Sequence, residues 1–223
     1  MLPSTNSRQN HLPSHQNTLP PELNYCSGKP SLITGTRAAF QICHYWLALL
    51  AHQHRNVHIL DCAIRFNLFD ISRYAKELNS TAAEFLENIS FQRAFTPYQI
   101  LDAVSSFNRK DCLQVILAPC KQFLDGDVAL DEGLFLLKKL VTIFKRRSLQ
   151  NYPLLIVEKN DYQHSVFNSI FPELTSISFP IWQVNTSQSG EIIVSKTSSY
   201  EKYLSRSNNG QNTHTILKTN SDF

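Results

Sequence analysis

A chain of 223 residues carries 21 Lys and Arg against 18 Asp and Glu, a formal charge of +3 that does not by itself imply a nucleic-acid ligand. Its longest apolar run, Tyr45 to Ala51, is far short of the roughly 20 residues that span a bilayer. Five cysteines (Cys26, Cys43, Cys62, Cys112 and Cys120) form no C-x-x-C pair, which fits buried thiols in a reducing compartment: cytoplasmic in a bacterium or archaeon, nuclear in a eukaryote. Residues 1–30, with prolines among Ser, Asn, Gln and His, read as a mobile polar arm, and residues 197–223 as a polar tail. The arm lacks the apolar stretch of a secretory signal, while an organellar transit peptide stays open because such segments are also rich in serine. Residues 31–196 remain as one α/β domain, large enough to bury a core without disulfides or metal.

Short apolar runs at Leu32 to Thr34, Val57 to Leu60, Leu113 to Ala118 and Leu154 to Val157 predict strands buried on both faces. Arg37 to Gln53 lies between the first two and leaves little polar face, so it predicts a central helix packed on several sides. A weaker strand is expected at Leu86 to Ser90. Thr96 and Pro97 then read as N-cap and first position of a helix running to about Phe107. Asp131 reads as the cap of a long helix that ends in Lys145, Arg146 and Arg147, acid first and base last as the helix dipole favours. Ile177 to Val184 and Glu191 to Ser195 close the chain as an antiparallel hairpin. The alternation argues for a mostly parallel sheet flanked by helices, with ligands at the carboxyl ends of its strands.

The first strand runs into Gly35, Thr36, Arg37, Ala38, Ala39 and Phe40, where a phosphate-binding loop would stand. The segment Thr36 to His44 resembles the Walker A region of the RecA/RadA recombinase family, whose members place Gly-Lys-Thr where this chain has Ala38, Ala39 and Phe40. Ile59 to Phe66 is similar to the family segment in which an acid two positions after the aspartate activates water, and that position is Ala63. Leu86 to Ile89, Arg93 to Thr96 and Tyr98 to Leu101 resemble the family's next strand, turn and helix start. Val115 to Leu117 stands at its Walker B strand, but Ala118, Pro119 and Cys120 follow instead of an aspartate. Lysine neutralises terminal phosphates, the hydroxyl binds magnesium and glycine admits backbone N–H groups to the anion, so their joint loss predicts a pseudo-ATPase.

The resemblance therefore implies a RecA-like fold and a noncatalytic subunit acting in DNA recombination and repair, without a cofactor. Its expected partners are a related RecA-like protein or a recombination factor, with DNA as a further ligand. Lys138, Lys139, Lys145, Arg146 and Arg147 are the candidate DNA-binding residues, and Leu19, Leu23 and Tyr25 candidate apolar anchors of the arm. Two other readings are a nucleotide-binding regulator that keeps affinity at Gly35 to Arg37 without hydrolysis, and an unrelated α/β enzyme with a site around Asp61, Arg65 and Glu158. Asp125, Gly126 and Asp127 read as loop acids rather than a calcium loop, because Ala129 and Leu130 occupy ligand positions. His52, His54 and His58 read as a surface cluster rather than a zinc site.

Overall fold

The computed structural model describes Leu23, residues 29–197 and residues 215–217. Its strands are β1 Ser31–Gly35, β2 Val57–Asp61, β3 Ile89–Arg93, β4 Leu113–Leu117, β5 Leu154–Lys159, β6 Ile181–Thr186, β7 Ile192–Thr197 and β8 Thr215–Leu217. They form one sheet in the order β3-β2-β4-β5-β1-β6-β7-β8. The first six are parallel, and β6–β7 is an antiparallel hairpin to which β8 adds antiparallel. The helices are α1 Ala38–His52, α2 Leu68–Glu77, α3 Ala82–Glu87, α4 Pro97–Ser106, α5 Leu130–Leu149 and α6 Ser165–Ile177, with a 3-10 turn at Lys121–Leu124. Among the described residues no helix is long and apolar enough to cross a membrane.

The sheet separates two cores. Ile33, Ile59, Val115 and Val157 face α1, α2 and α3, whereas Leu32, Leu60, Ile116 and Ile156 face α4, α5 and α6. Side chains alternate across a strand, so burial of both faces requires the unbroken apolar runs that the sequence displays. Helix α1 is the extreme case: every residue except Gln41 and His52 is buried. Edge strand β3 is the opposite, exposed at every position after Ile89.

Local signals explain most element starts. Thr96 accepts from the Gln99 N–H and Pro97 opens α4, as the sequence predicts. Thr81 and Glu84 form a capping box, each side chain bonding the other's backbone N–H. That box launches α3, which runs through Glu87, so the strand expected at Leu86 starts three residues later, at Ile89. Ile177 likewise ends α6 instead of opening a strand, and the cis Phe179–Pro180 bond precedes β6. Asp131 is not the cap of α5. Ala129 holds that position without a side-chain bond, and Asp131 lies in the first turn, where its charge suits the dipole.

Both ends hold more than the sequence suggests. Leu23 is buried in the α1 face of the core, so this residue of the expected mobile arm packs against its own chain rather than waiting for a partner. Pro30 is buried too, and its carbonyl accepts the Phe179 N–H at 2.7 Å. Leu19 and Tyr25 lie outside the described residues. Within the expected tail, Thr215–Leu217 pairs with Ile192 to Val194.

Candidate binding surface at the strand ends

The β1–α1 turn follows from one close approach. A Cβ built on Gly35 would lie 1.9 Å from the Val184 carbonyl oxygen of β6, and the residue has φ 152°, so only glycine fits. The chain then winds at once: Ala39 N–H donates to the Thr36 carbonyl at 3.0 Å and Phe40 N–H to Arg37 at 3.1 Å. Those N–H groups are consumed inside the turn, while Ala38 and Ala39 are buried. A phosphate cradle needs such groups pointing outward. Of the expected loop, only Thr36 and Arg37 reach solvent, and the Phe40 ring lies under the Arg65 guanidinium at 5.6 Å.

At the end of β2 the fully buried Asp61 carboxylate accepts from the N–H groups of Ala63 (3.2 Å), Arg65 (2.8 Å) and Phe66 (3.1 Å). Arg93 adds a contact at 3.8 Å. Asp61 thus shapes the β2–α2 loop. The loop carries Ile64 at φ 54° with 67% of its surface exposed. A β-branched residue in left-handed backbone costs about 1–2 kcal/mol or more, which the three bonds to Asp61 offset. The strain serves no packing purpose, since it presents an apolar side chain to water.

Two cavities flank this loop. The larger, ≈ 370 Å³, is lined by Arg37, Gln41, His44, Arg65 and Asp70 over the Phe40 and Phe66 rings. Inside it His44 Nδ1 lies 3.3 Å from Asp70 Oδ2, while His44 Nε2 accepts the Asn67 N–H at 3.4 Å. That acceptance places the imidazole proton on Nδ1, facing Asp70. The His44 bond, with help from Arg73 and Asn67, holds Asp70 below the usual carboxylate value, against the opposing effect of its burial. The smaller cavity, ≈ 130 Å³, lies between Ile64, Arg65, Phe95, Lys121 and Gln122. Exposed apolar side chains stand on the neighbouring elements: Phe69 on α2, Phe91 on β3, Tyr98 on α4, and Leu130 and Phe135 on α5. Tyr98 Oη donates to Glu132 at 2.6 Å, joining α4 to the start of α5.

Of the alternative enzyme site, Asp61 and Arg65 line the smaller cavity together, while Glu158 lies outside both cavities. Glu158 is fully buried, and its two oxygens accept the Cys120 N–H at 2.7 Å and the Lys159 N–H at 2.9 Å. Burial pushes its carboxyl up to about 7, against those hydrogen bonds. Neither cavity reaches it, and Asp61 is spent on backbone. Burial also pushes the Cys43, Cys62 and Cys120 thiols up, which removes them as nucleophiles. Among the described residues no group of three His, Cys, Asp or Glu is placed to hold a metal. His52 bonds Ser80, and His58 bonds Ser90 and stacks on Phe107, so the histidines serve separate elements.

On α5, Lys138, Lys139, Lys145 and Arg146 are exposed, but Arg147 is not. It is only 3% exposed, donates from Nη1 to the Phe107 carbonyl at 2.7 Å and packs on the Tyr152 ring at 4.2 Å. Arg147 caps the end of α4 and is withdrawn from any phosphate-contacting face. Ile64, Phe95 and Tyr98 are the surface residues the sequence did not single out. Phe69 carried a usable signal, as an aromatic outside the Ile71, Tyr74, Ala75 stripe that α2 buries. No family model and no curated protein matches this chain.

Proposed function

We propose that this chain is a noncatalytic, RecA-like subunit that acts in DNA recombination and repair by binding another protein, with its strand-end surface as the binding face. The observation that carries the reading is Ile64, a strained, exposed β-branched residue between two cavities and beside Phe95. Exposed apolar side chains grouped with aromatic ones, as Ile64 is with Phe95, mark surfaces that bind other proteins. The turn at Ala38 to Phe40 supports the noncatalytic half, because it offers neither lysine nor hydroxyl and its Ala39 and Phe40 N–H groups are bonded within the turn. The recombination context rests on the sequence resemblance alone.

The test uses a photo-crosslinking amino acid in place of Phe95 in the native host, compared with one in place of Gln150 at the far end of α5. Expected is a covalent adduct to protein from position 95 and none from position 150, with no magnesium-dependent ATP turnover by the purified chain. Absence of any adduct at position 95, or turnover lost on mutating Arg37, would count against the reading.

A second ligand, DNA, is favoured by one specific arrangement. Lys138 and Lys139 recur seven residues later as Lys145 and Arg146, which puts all four on one side of α5, about 10 Å apart along the helix. None forms an ion pair among the described residues, and Lys138 and Lys139 lie too far from the helix end to be explained by its dipole. Four phosphate contacts give a log–log salt slope of about −4 for duplex DNA. Binding without salt dependence, or unchanged when all four become glutamine, would remove this face from consideration.

A further inference from the structure

We propose that the partner meets the strand-end surface with an acidic segment, whose carboxylate side chains enter the two cavities beside Ile64 while an apolar side chain between them packs on Ile64 and Phe95. This rests on the reading of that surface as a protein interface, and three observations carry it.

The first is that the two cavities adjoin. Ile64 and Arg65 belong to the lining of both, so one dipeptide of the β2–α2 loop serves a space of ≈ 370 Å³ and one of ≈ 130 Å³. Beyond Arg65, each cavity has a cation of its own, Arg37 in the larger and Lys121 in the smaller. An occupant that spans both therefore meets three cations, from the β1–α1 turn, the β2–α2 loop and the 3-10 turn after β4.

The second is how the acids of the same linings are held. Asp61, in the smaller cavity, accepts three backbone N–H groups and has Arg93 at 3.8 Å. Asp70, in the larger, has His44 Nδ1 and Arg73 Nη2 each at 3.3 Å. Arg73 and Arg93 belong to neither lining, so they offset the two carboxylates from outside, and Arg37, Arg65 and Lys121 give the cavities a positive potential.

The third is preorganisation. The Arg65 backbone N–H donates to Asp61 Oδ1 at 2.8 Å and its guanidinium rests over the Phe40 ring at 5.6 Å, so the shared cation is held at both ends. A guanidinium already in place loses less freedom on meeting a carboxylate, which it grips as a bidentate fork. Ile64 stands 67% exposed on the same loop, with Phe95, 57% exposed, on the smaller cavity. An apolar centre with a cation in each adjoining cavity is the complement of an apolar residue flanked by acids. Nucleic acid shares the charge but not the centre, since the branched aliphatic Ile64 offers no face on which a base stacks.

The crosslink from position 95 tests the proposal once the attached peptide is sequenced by mass spectrometry, since capture of a protein is not enough. Expected is a segment with Asp or Glu on both sides of the attached residue. A synthetic peptide of that segment should bind the purified full chain, and more weakly as salt is raised. Arg37→Glu, Arg65→Glu and Lys121→Glu should each weaken binding about tenfold or more, while Lys139→Glu on α5 leaves it unchanged. Replacing the peptide's acids by their amides should also weaken it. Circular dichroism and melting check the fold of each variant, and the exposed Arg37 keeps the test readable if Arg65→Glu, deprived of its Phe40 contact, does not fold. An attached segment without acids overturns the proposal. So does an acidic peptide that fails to bind, or that binds Arg37→Glu and Lys121→Glu as tightly as the wild type. In these cases the interface reading stands. Nucleic acid at position 95, or no adduct there, overturns both readings.

Discussion

Replacing Glu158 with glutamine should change stability in a way that depends on pH, and the size of the change follows from two opposing effects. In the folded chain burial holds the carboxyl at about 7, above its ordinary 4.5. Below 4.5 both folded and unfolded chains keep the proton, so ionisation costs nothing. As pH rises through 4.5 the unfolded chain releases it while the folded chain retains it up to about 7, and stability falls across that window. At about 1.4 kcal/mol per tenfold in proton affinity, the wild type loses about 3 kcal/mol by pH 8 that the glutamine variant does not. The variant has a constant handicap instead. Both oxygens of Glu158 accept backbone N–H groups, and glutamine offers one oxygen only, so the Cys120 or the Lys159 N–H loses its partner at about 1–3 kcal/mol. Glu158→Gln should therefore be clearly less stable than wild type near pH 4.5 and close to it near pH 8. Urea unfolding of both proteins across that range gives the difference directly, with the other titrating groups common to both. A difference that stays constant with pH would refute the argument.

Gly35→Ala should cost about 3 kcal/mol or more, because its Cβ cannot coexist with the Val184 carbonyl and β6 must move. Denaturant unfolding or loss of soluble protein reports this, and a change under about 1 kcal/mol would show that the turn relaxes freely. Arg147→Ala should cost about 2–4 kcal/mol by freeing the Phe107 carbonyl and emptying the space against Tyr152. Lys145→Gln and Arg146→Gln, on exposed side chains, should each cost under about 1 kcal/mol. Equal losses at the three positions in thermal melts would contradict the burial of Arg147.

Elements that bury themselves completely were the ones legible in the sequence. β1, β2, β4 and β5 show as continuous apolar runs because helices cover both their faces, and α1 shows because it has almost no polar side. The β6–β7 hairpin and the Thr96–Pro97 start carry their own turn and cap chemistry. Elements with one wet side were harder. α2 spans ten residues and α3 six, too few turns for a periodicity to stand out. β3, at the sheet edge, keeps Ser90, Gln92 and Arg93 in solvent and lacks the apolar run altogether. α6 holds Pro172 inside it, a residue that ordinarily argues against a helix. The burial of Arg147 could not be foreseen from a basic triplet, because it depends on Phe107 forty residues earlier. The residues that build the strand-end surface were hidden for a similar reason: Ile64, Phe95 and Lys121 converge only when the β2–β3 and β3–β4 crossovers are both complete.

The position of β1 in the sheet has a consequence for how the chain is made. Its neighbours are β5 and β6, so Leu32 waits for Ile156 and Ile181, each more than a hundred residues downstream. At about 5–20 residues per second, that interval on a ribosome lasts on the order of ten seconds. Throughout it α1, the most apolar of the described helices, has emerged without β5 and β6, two of the strands that will cover it. A nascent chain in this state keeps part of its least soluble surface open until its late strands arrive. Its yield in a cell is therefore set as much by whatever occupies that helix during synthesis as by the stability of the finished fold.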